Sequence, residues 1–153
     1  MKVELRKVKI ARHLSEDTTA FTADLWVDDK HIGYVRNDGS GGANFIDHRY
    51  DGKGLNARDE VSAFRTWCDT LPPIQDEYGE LAMSDDLYIH LLLEEWEENR
   101  FVKRLCKKET LFRLEGDPEK EYRSYKAVYT PLFAEKVRAK HPDLIEIINE
   151  RFM

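Results

Sequence analysis

Cysteine is scarce. Cys68 and Cys106 are the only two, and neither has another Cys or a His at metal-ligand spacing. That excludes a disulfide framework and a zinc ribbon, and predicts two reduced, partly buried thiols. Long apolar runs are missing too: nothing approaches the roughly 18 residues a membrane-spanning helix needs. The opening MKVELRKVKIARH has no continuous apolar core, so it does not read as a secretory signal. Repeats, low-complexity tracts and long linkers are absent as well. The expectation is a soluble, cytoplasmic chain folded as one domain over residues 1–153.

The motifs of well-known chemistries are also missing. There is no H-E-x-x-H, no H-x-E with C-x-x-C, and no G-x-S-x-G. The stretch NDGSGGANFIDHRYDGKG (37–54) comes nearest to a nucleotide loop. A P-loop places Lys and then Ser or Thr after its glycines, yet the first Lys here is Lys53, followed by Gly54. A dinucleotide fingerprint fits Gly39 and Gly41 but meets Asn44 at its third glycine position.

What the chain does have is core material and segregated charge. Hydrophobic residues make up 41% and charged residues 35% of 153, too much apolar content for a disordered chain. The net charge of −6 argues against generic DNA binding along a phosphate backbone. Residues 72–98 hold nine carboxylates and no Lys or Arg, whereas residues 99–113 hold six basic residues and one Glu. The first thirteen residues add five basic groups against Glu4 alone. Such blocks predict surfaces of opposite sign, suited to orienting a partner.

The periodicities describe an α+β fold with an antiparallel N-terminal hairpin sheet, two central helices, and a C-terminal hairpin and helix. FTADLWVDD alternates with Phe21, Ala23, Leu25 and Val27 on one face, then turns at Asp28-Asp29-Lys30 into HIGYVR. In KVELRKVKIAR the apolar set slips from Val3 and Leu5 to Val8 and Ile10, which predicts a bulge near Arg6-Lys7. Asn56 reads as the N-cap of one helix, Ser84 of a longer one, and Thr130 with Pro131 starts a third. TLFRL and YRSYKAVY form the C-terminal hairpin, while LIEIINERF fits helix and strand equally.

Four surfaces are candidates for function. In the loop Asn37, Asp38, Gly39, Ser40, Gly41 and Gly42, a turn built on left-handed residues is the plain reading. Its surplus glycine also suits an anion-binding nest of backbone N–H groups. On the long helix, at about 100° per residue, Arg100, Lys103, Arg104 and Lys107 share a face with Trp96. Aromatic and basic groups in one stripe can stack a base and grip phosphate, or can balance a helix C-terminus. The acidic residues Glu94, Glu95, Glu97 and Glu98 form a solvated face or meet a basic partner. Asp47, His48 and Asp51 suggest a metal or acid–base site, but neighbours on a strand point to opposite faces.

TADLWVDDKHIGYVRNDGSGG, together with the tail from TLFRLEGDPEKEYRSYKAVYTP to INERF, resembles small uncharacterised proteins of bacterial genomes and phages. The resemblance spans about half the chain. It implies an accessory role of the kind carried on mobile elements, and no catalytic residue. With no catalytic constellation, cofactor or metal site assigned, the leading expectation is a non-enzymatic inhibitor or adaptor acting on a protein partner. The alternatives are a binder of a nucleotide or phosphorylated small molecule, using the glycine loop and basic stripe, and a metal-dependent hydrolase.

Overall fold

The computed structural model describes residues 1–153. Strands β1 (Val3–Ile10), β2 (Phe21–Val27), β3 (Lys30–Asn37) and β4 (Phe45–His48) form one antiparallel sheet in that order. The β1–β2 register breaks between Arg6 and Lys9, with Lys7 at φ +52°. This is the bulge that the apolar phase slip demands, since one extra residue returns Val8 and Ile10 to the face used by Val3 and Leu5. β2 and β3 join through Asp28 and Asp29 alone, both at positive φ (49° and 64°), the type I′ geometry that matches strand twist. A second shift, beside Leu25 and Trp26, sets Gly33 against β4, where a Cβ would lie 2.6 Å from the Asp47 carbonyl oxygen.

One face of this sheet is core. Phe21, Ala23, Leu25, Ile32 and Val35 pack with Val61, Phe64 and Cys68 of α1 (Arg58–Asp69) and with Ile89 and Leu93 of α2 (Asp85–Leu105). Phe64 is fully buried, a contribution of about 1.5–3 kcal/mol for its side chain alone. Helix α1 starts later than the sequence suggests. Ala57 occupies the cap position, and Asn56 Oδ1 accepts the Arg58 N–H at 3.0 Å from one residue further out. The Ser84 cap forms as expected, its hydroxyl accepting Leu87 N–H at 3.1 Å. Between the helices lies an element the sequence did not signal, a hairpin of β5 (Ile74–Asp76) and β6 (Gly79–Leu81) with Tyr78 90% exposed.

Backbone packing divides the chain into two units, residues 1–96 and 97–153, with the division inside α2. In the second unit β7 (Thr110–Leu114) lies between β8 (Arg123–Tyr125) and β9 (Leu144–Ile147), antiparallel to both. Helix α3 (Pro131–Lys140) packs Ala134 and Val137 onto Phe112, Leu114 and Ile147. Thr130 caps it, accepting Phe133 N–H at 3.1 Å, with Pro131 at its first position. The ambiguous tail uses both of its propensities: Leu144–Ile147 is strand and Ile148–Phe152 is a 3-10 turn. Buried Asn149 fixes that turn, accepting Leu111 N–H at 2.8 Å and donating to the carbonyls of Cys106 (3.1 Å) and Glu109 (2.8 Å). No helix is long and apolar enough to cross a membrane.

Candidate functional site

The glycine loop joins β3 to β4 and is organised by Asn37, which is 8% exposed and makes four side-chain hydrogen bonds. Its Oδ1 accepts from Thr18 Oγ1 at 2.8 Å and from Gly39 N–H at 2.9 Å. Its Nδ2 donates to the Gly42 carbonyl at 3.1 Å and to Asn44 Oδ1 at 3.0 Å. Left-handed backbone occurs at Gly39 and Gly41, not at Asn37 or Asp38 as the turn residues alone suggest. Asn37 instead closes β3 and acts through its side chain.

The surplus glycine has a structural use. The Gly39 carbonyl accepts the N–H groups of Glu16, Asp17 and Thr18 at 3.0, 3.0 and 3.3 Å. A Cβ on Gly39 would meet the Leu14 carbonyl oxygen at 2.1 Å, so only glycine admits this segment. The donors of an anion nest are also engaged. Gly39 N–H goes to Asn37, Ser40 N–H to Asp38 Oδ1 at 3.0 Å, and Gly41 N–H to Thr18 Oγ1 at 3.3 Å. Asn44, the residue that breaks the dinucleotide fingerprint, ties the loop to α2 through its N–H and Asp86 Oδ1 at 2.8 Å.

Asn37 and Gly42 border a cleft of about 520 Å³, shared with residues 15–19 and the first turns of α2. Phe21, Leu87 and Leu93 supply its apolar surface. Glu16, Asp17 and Asp86 are its carboxylates, and no Lys or Arg lines it.

Of the other predicted residues, Trp96, Arg100, Lys103 and Arg104 lie on α2, whereas Lys107, expected on the same helix, falls in the turn after the helix ends at Leu105. Trp96 is half-buried, while Arg100, Lys103, Arg104 and Lys107 are exposed. The Arg104 guanidinium lies 5.9 Å from the ring centre of exposed Phe101. The loop residues fall in the first unit and the four basic residues in the second, so each group stands as a surface of its own unit.

Sequence reasoning missed the outer face of the β1–β4 sheet. Arg6 Cζ sits 3.8 Å from the centre of the Trp26 ring. Trp26 stacks on His31 with centroids 5.4 Å apart and planes at 9°, and His31 meets Tyr34 edge-on at 4.9 Å. Alongside, Arg36 lies 5.2 Å over the Phe45 ring and 3.5 Å from an Asp47 carboxylate oxygen. Tyr34 and Phe45 are 47% and 58% exposed. The register explains the grouping, because Arg6 pairs across from Asp24, Asp24 from Tyr34, Tyr34 from Asp47 and Arg36 from Phe45. The signal was present as aromatic residues at outward positions of alternating strands.

The remaining reactive groups are dispersed. His48 and Asp47 occupy successive β4 positions opposite Gly33 and Tyr34, hence opposite faces, and no three metal-binding side chains are grouped. Burial pushes the Cys68 thiol up to about 12, with Asp85 and Asp69 adding to the effect. Burial raises Cys106 as well, partly offset by Arg151. Both cysteines are free, and neither is poised as a nucleophile. Compared with known proteins, the chain matches no family model, no curated protein and no solved structure.

Proposed function

We propose that the protein is a non-catalytic binding protein, an inhibitor or adaptor, that engages a protein partner through the outer face of its β1–β4 sheet. The supporting observation is the ladder Arg6–Trp26–His31–Tyr34 with the adjoining Arg36–Phe45 pair. Trp, Tyr and Arg are the residues that dominate binding energy at protein interfaces. Each ring here is held by a neighbour, so little rotamer freedom remains to be lost on association. Glu4, Asp24 and Asp47 intersperse carboxylates among the arginines, giving the mixed charge of a specific interface rather than the uniform charge of a phosphate-tracking surface. The nucleotide reading draws less support, because the loop amides it needs are bonded internally. An accessory role on a mobile element suits a small binder of this kind.

The test is affinity capture from the source cell with wild-type protein and with a Tyr34→Ala/Phe45→Ala variant. The expected result is a protein retained by the wild type whose affinity, measured with purified components, falls at least roughly thirtyfold in the variant. No retained protein, or equal affinity for both forms, would overturn the reading.

A further inference from the structure

The two larger sheets have four end strands, and they are not alike. On β4 the Ile46 carbonyl accepts from Arg65 Nη2 of α1 at 3.4 Å, so a helix side chain already occupies that edge. On β1, Arg6, Lys7 and Lys9 set cations along the edge, a common guard against strand addition. β8 is three residues long, and Arg123 at its start is held by Asp117 at 2.9 and 3.0 Å. β9 has no such guard. It pairs with β7 alone, and three of its four residues are apolar. The register passes from Glu146 to Leu144, so Ile145 has no opposite residue on β7, and its side chain is 51% exposed. Residues 144–147 also form one wall of a cleft of about 590 Å³. Arg138 and His141 from the end of α3, and Glu150 and Arg151 from the 3-10 turn, supply the rest with Pro142. No residue of β7 or β8 lines it, which places the cleft on the side of β9 away from its partner strand.

We infer that a second copy of this chain seats on this edge, β9 against β9 across a twofold axis, joining two three-stranded sheets into one of six strands. The backbone of an end strand turns a row of N–H and C=O groups outward, and an antiparallel copy supplies the matching row. Charge selects the occupant. The lining balances Arg138 and Arg151 against Glu146 and Glu150, already joined as Arg138–Glu150 and Arg151–Glu146. His141 is engaged by the Tyr125 hydroxyl at 2.6 Å. A strongly acidic or basic segment would meet like charge here, and would have to break one of these pairs to find its counter-charge. An identical copy brings the same balanced set, as a self-complementary twofold interface requires. The same reasoning places the axis. An antiparallel twofold sets one residue opposite itself: Glu146 there would face two carboxylates, whereas Ile145 there covers two exposed isoleucines with each other. This inference stands on residues 138–151 and does not depend on the face of the β1–β4 sheet.

The experiment is sedimentation equilibrium of the full chain over a wide concentration range. The wild type should shift from monomer to dimer as concentration rises. Ile145→Lys alters an exposed position and should associate at least roughly thirtyfold more weakly, with an unchanged circular dichroism spectrum. Leu132→Lys adds the same charge at an exposed position of α3 and should dimerise as the wild type does. The axis is tested by Ile145→Cys, whose two copies would lie within reach of a disulfide. Under oxidised glutathione it should crosslink between chains much faster than Tyr78→Cys, placed at the exposed tip of the β5–β6 hairpin. A monomer at every concentration overturns the inference. So does an Ile145→Lys variant that dimerises like the wild type, or equal crosslinking of the two cysteine variants.

Discussion

Asn37 and Gly39 are locked to one another. The Asn37 side-chain oxygen holds the Gly39 N–H at 2.9 Å, and Gly39 at φ +86° turns its carbonyl to receive residues 16–18. Asn37→Ala strips partners from Thr18, Gly39, Gly42 and Asn44 together, and a loss of about 2–3 kcal/mol is expected. Gly39→Ala drives a Cβ into backbone and should cost at least about 2 kcal/mol. Urea unfolding of both variants measures these losses. A cost below about 0.5 kcal/mol for Gly39→Ala would show that the close approach to Leu14 is not required.

The β2–β3 turn points to a gain. Asp29 adopts φ +64° without the freedom of glycine, and its links to Lys2 and Arg6 are solvent-exposed. Asp29→Gly creates the favoured Asp-Gly pair of a type I′ turn. Relief of the backbone outweighs the weak ion pairs, and a net stabilisation of roughly 0.5 kcal/mol is expected. A lowered melting temperature would show that the ion pairs carry more than surface pairs usually do.

Asp117 sets an acid limit on the C-terminal hairpin. Paired hydrogen bonds from the Arg123 guanidinium, at 2.9 and 3.0 Å, and one from the Leu114 N–H hold its carboxyl down at about 2. The native value lies below the unfolded one of roughly 3.9, so the stabilisation is present above pH of about 4 and is lost as pH falls toward the native value. Asp117→Asn should therefore be less stable than wild type at neutral pH, with the gap narrowing below that pH. Thermal melts at stepped pH test this, and a gap that stays constant would contradict it.

Cys68 behaves as a core residue. With its thiol pushed up to about 12 and no exposed surface, it should resist alkylation at pH 8 while the protein is folded. Mass spectrometry after timed iodoacetamide treatment should show modification of Cys68 only once denaturant is added. Rapid native labelling would reveal an opening of the packing between α1 and the sheet.

Features read directly from the sequence share one property: their cause is local. The slip from Leu5 to Val8 could only be a bulge, and Thr130 before Pro131 could only start a helix. Ser84 is equally self-contained. The hairpin around Tyr78 was missed because its residues are nearly all exposed and leave no apolar periodicity to read. Asn37 looked like any turn former. Its burial depends on residues 12–18 folding over the loop, which no nearby residue announces. The sheet face was hidden differently, because Trp26, Tyr34 and Phe45 belong to three strands and become neighbours only through register. The cleft likewise needs Asp17 and Asp86 brought together from distant segments.

Gly33 ties the buried side of the sheet to its outer face. It stands on the core side, yet the room its missing side chain leaves is what lets the Asp47 backbone approach. Any larger residue there would lever β4 outward and carry Phe45 and Asp47 away from Arg36. In a random mutagenesis screen for lost partner recognition, Gly33 should therefore score beside Tyr34 and Phe45 while never touching the partner. A map of binding defects drawn from such a screen would extend through the sheet to an inward-facing position, and surface labelling would be needed to separate the lever from the contact.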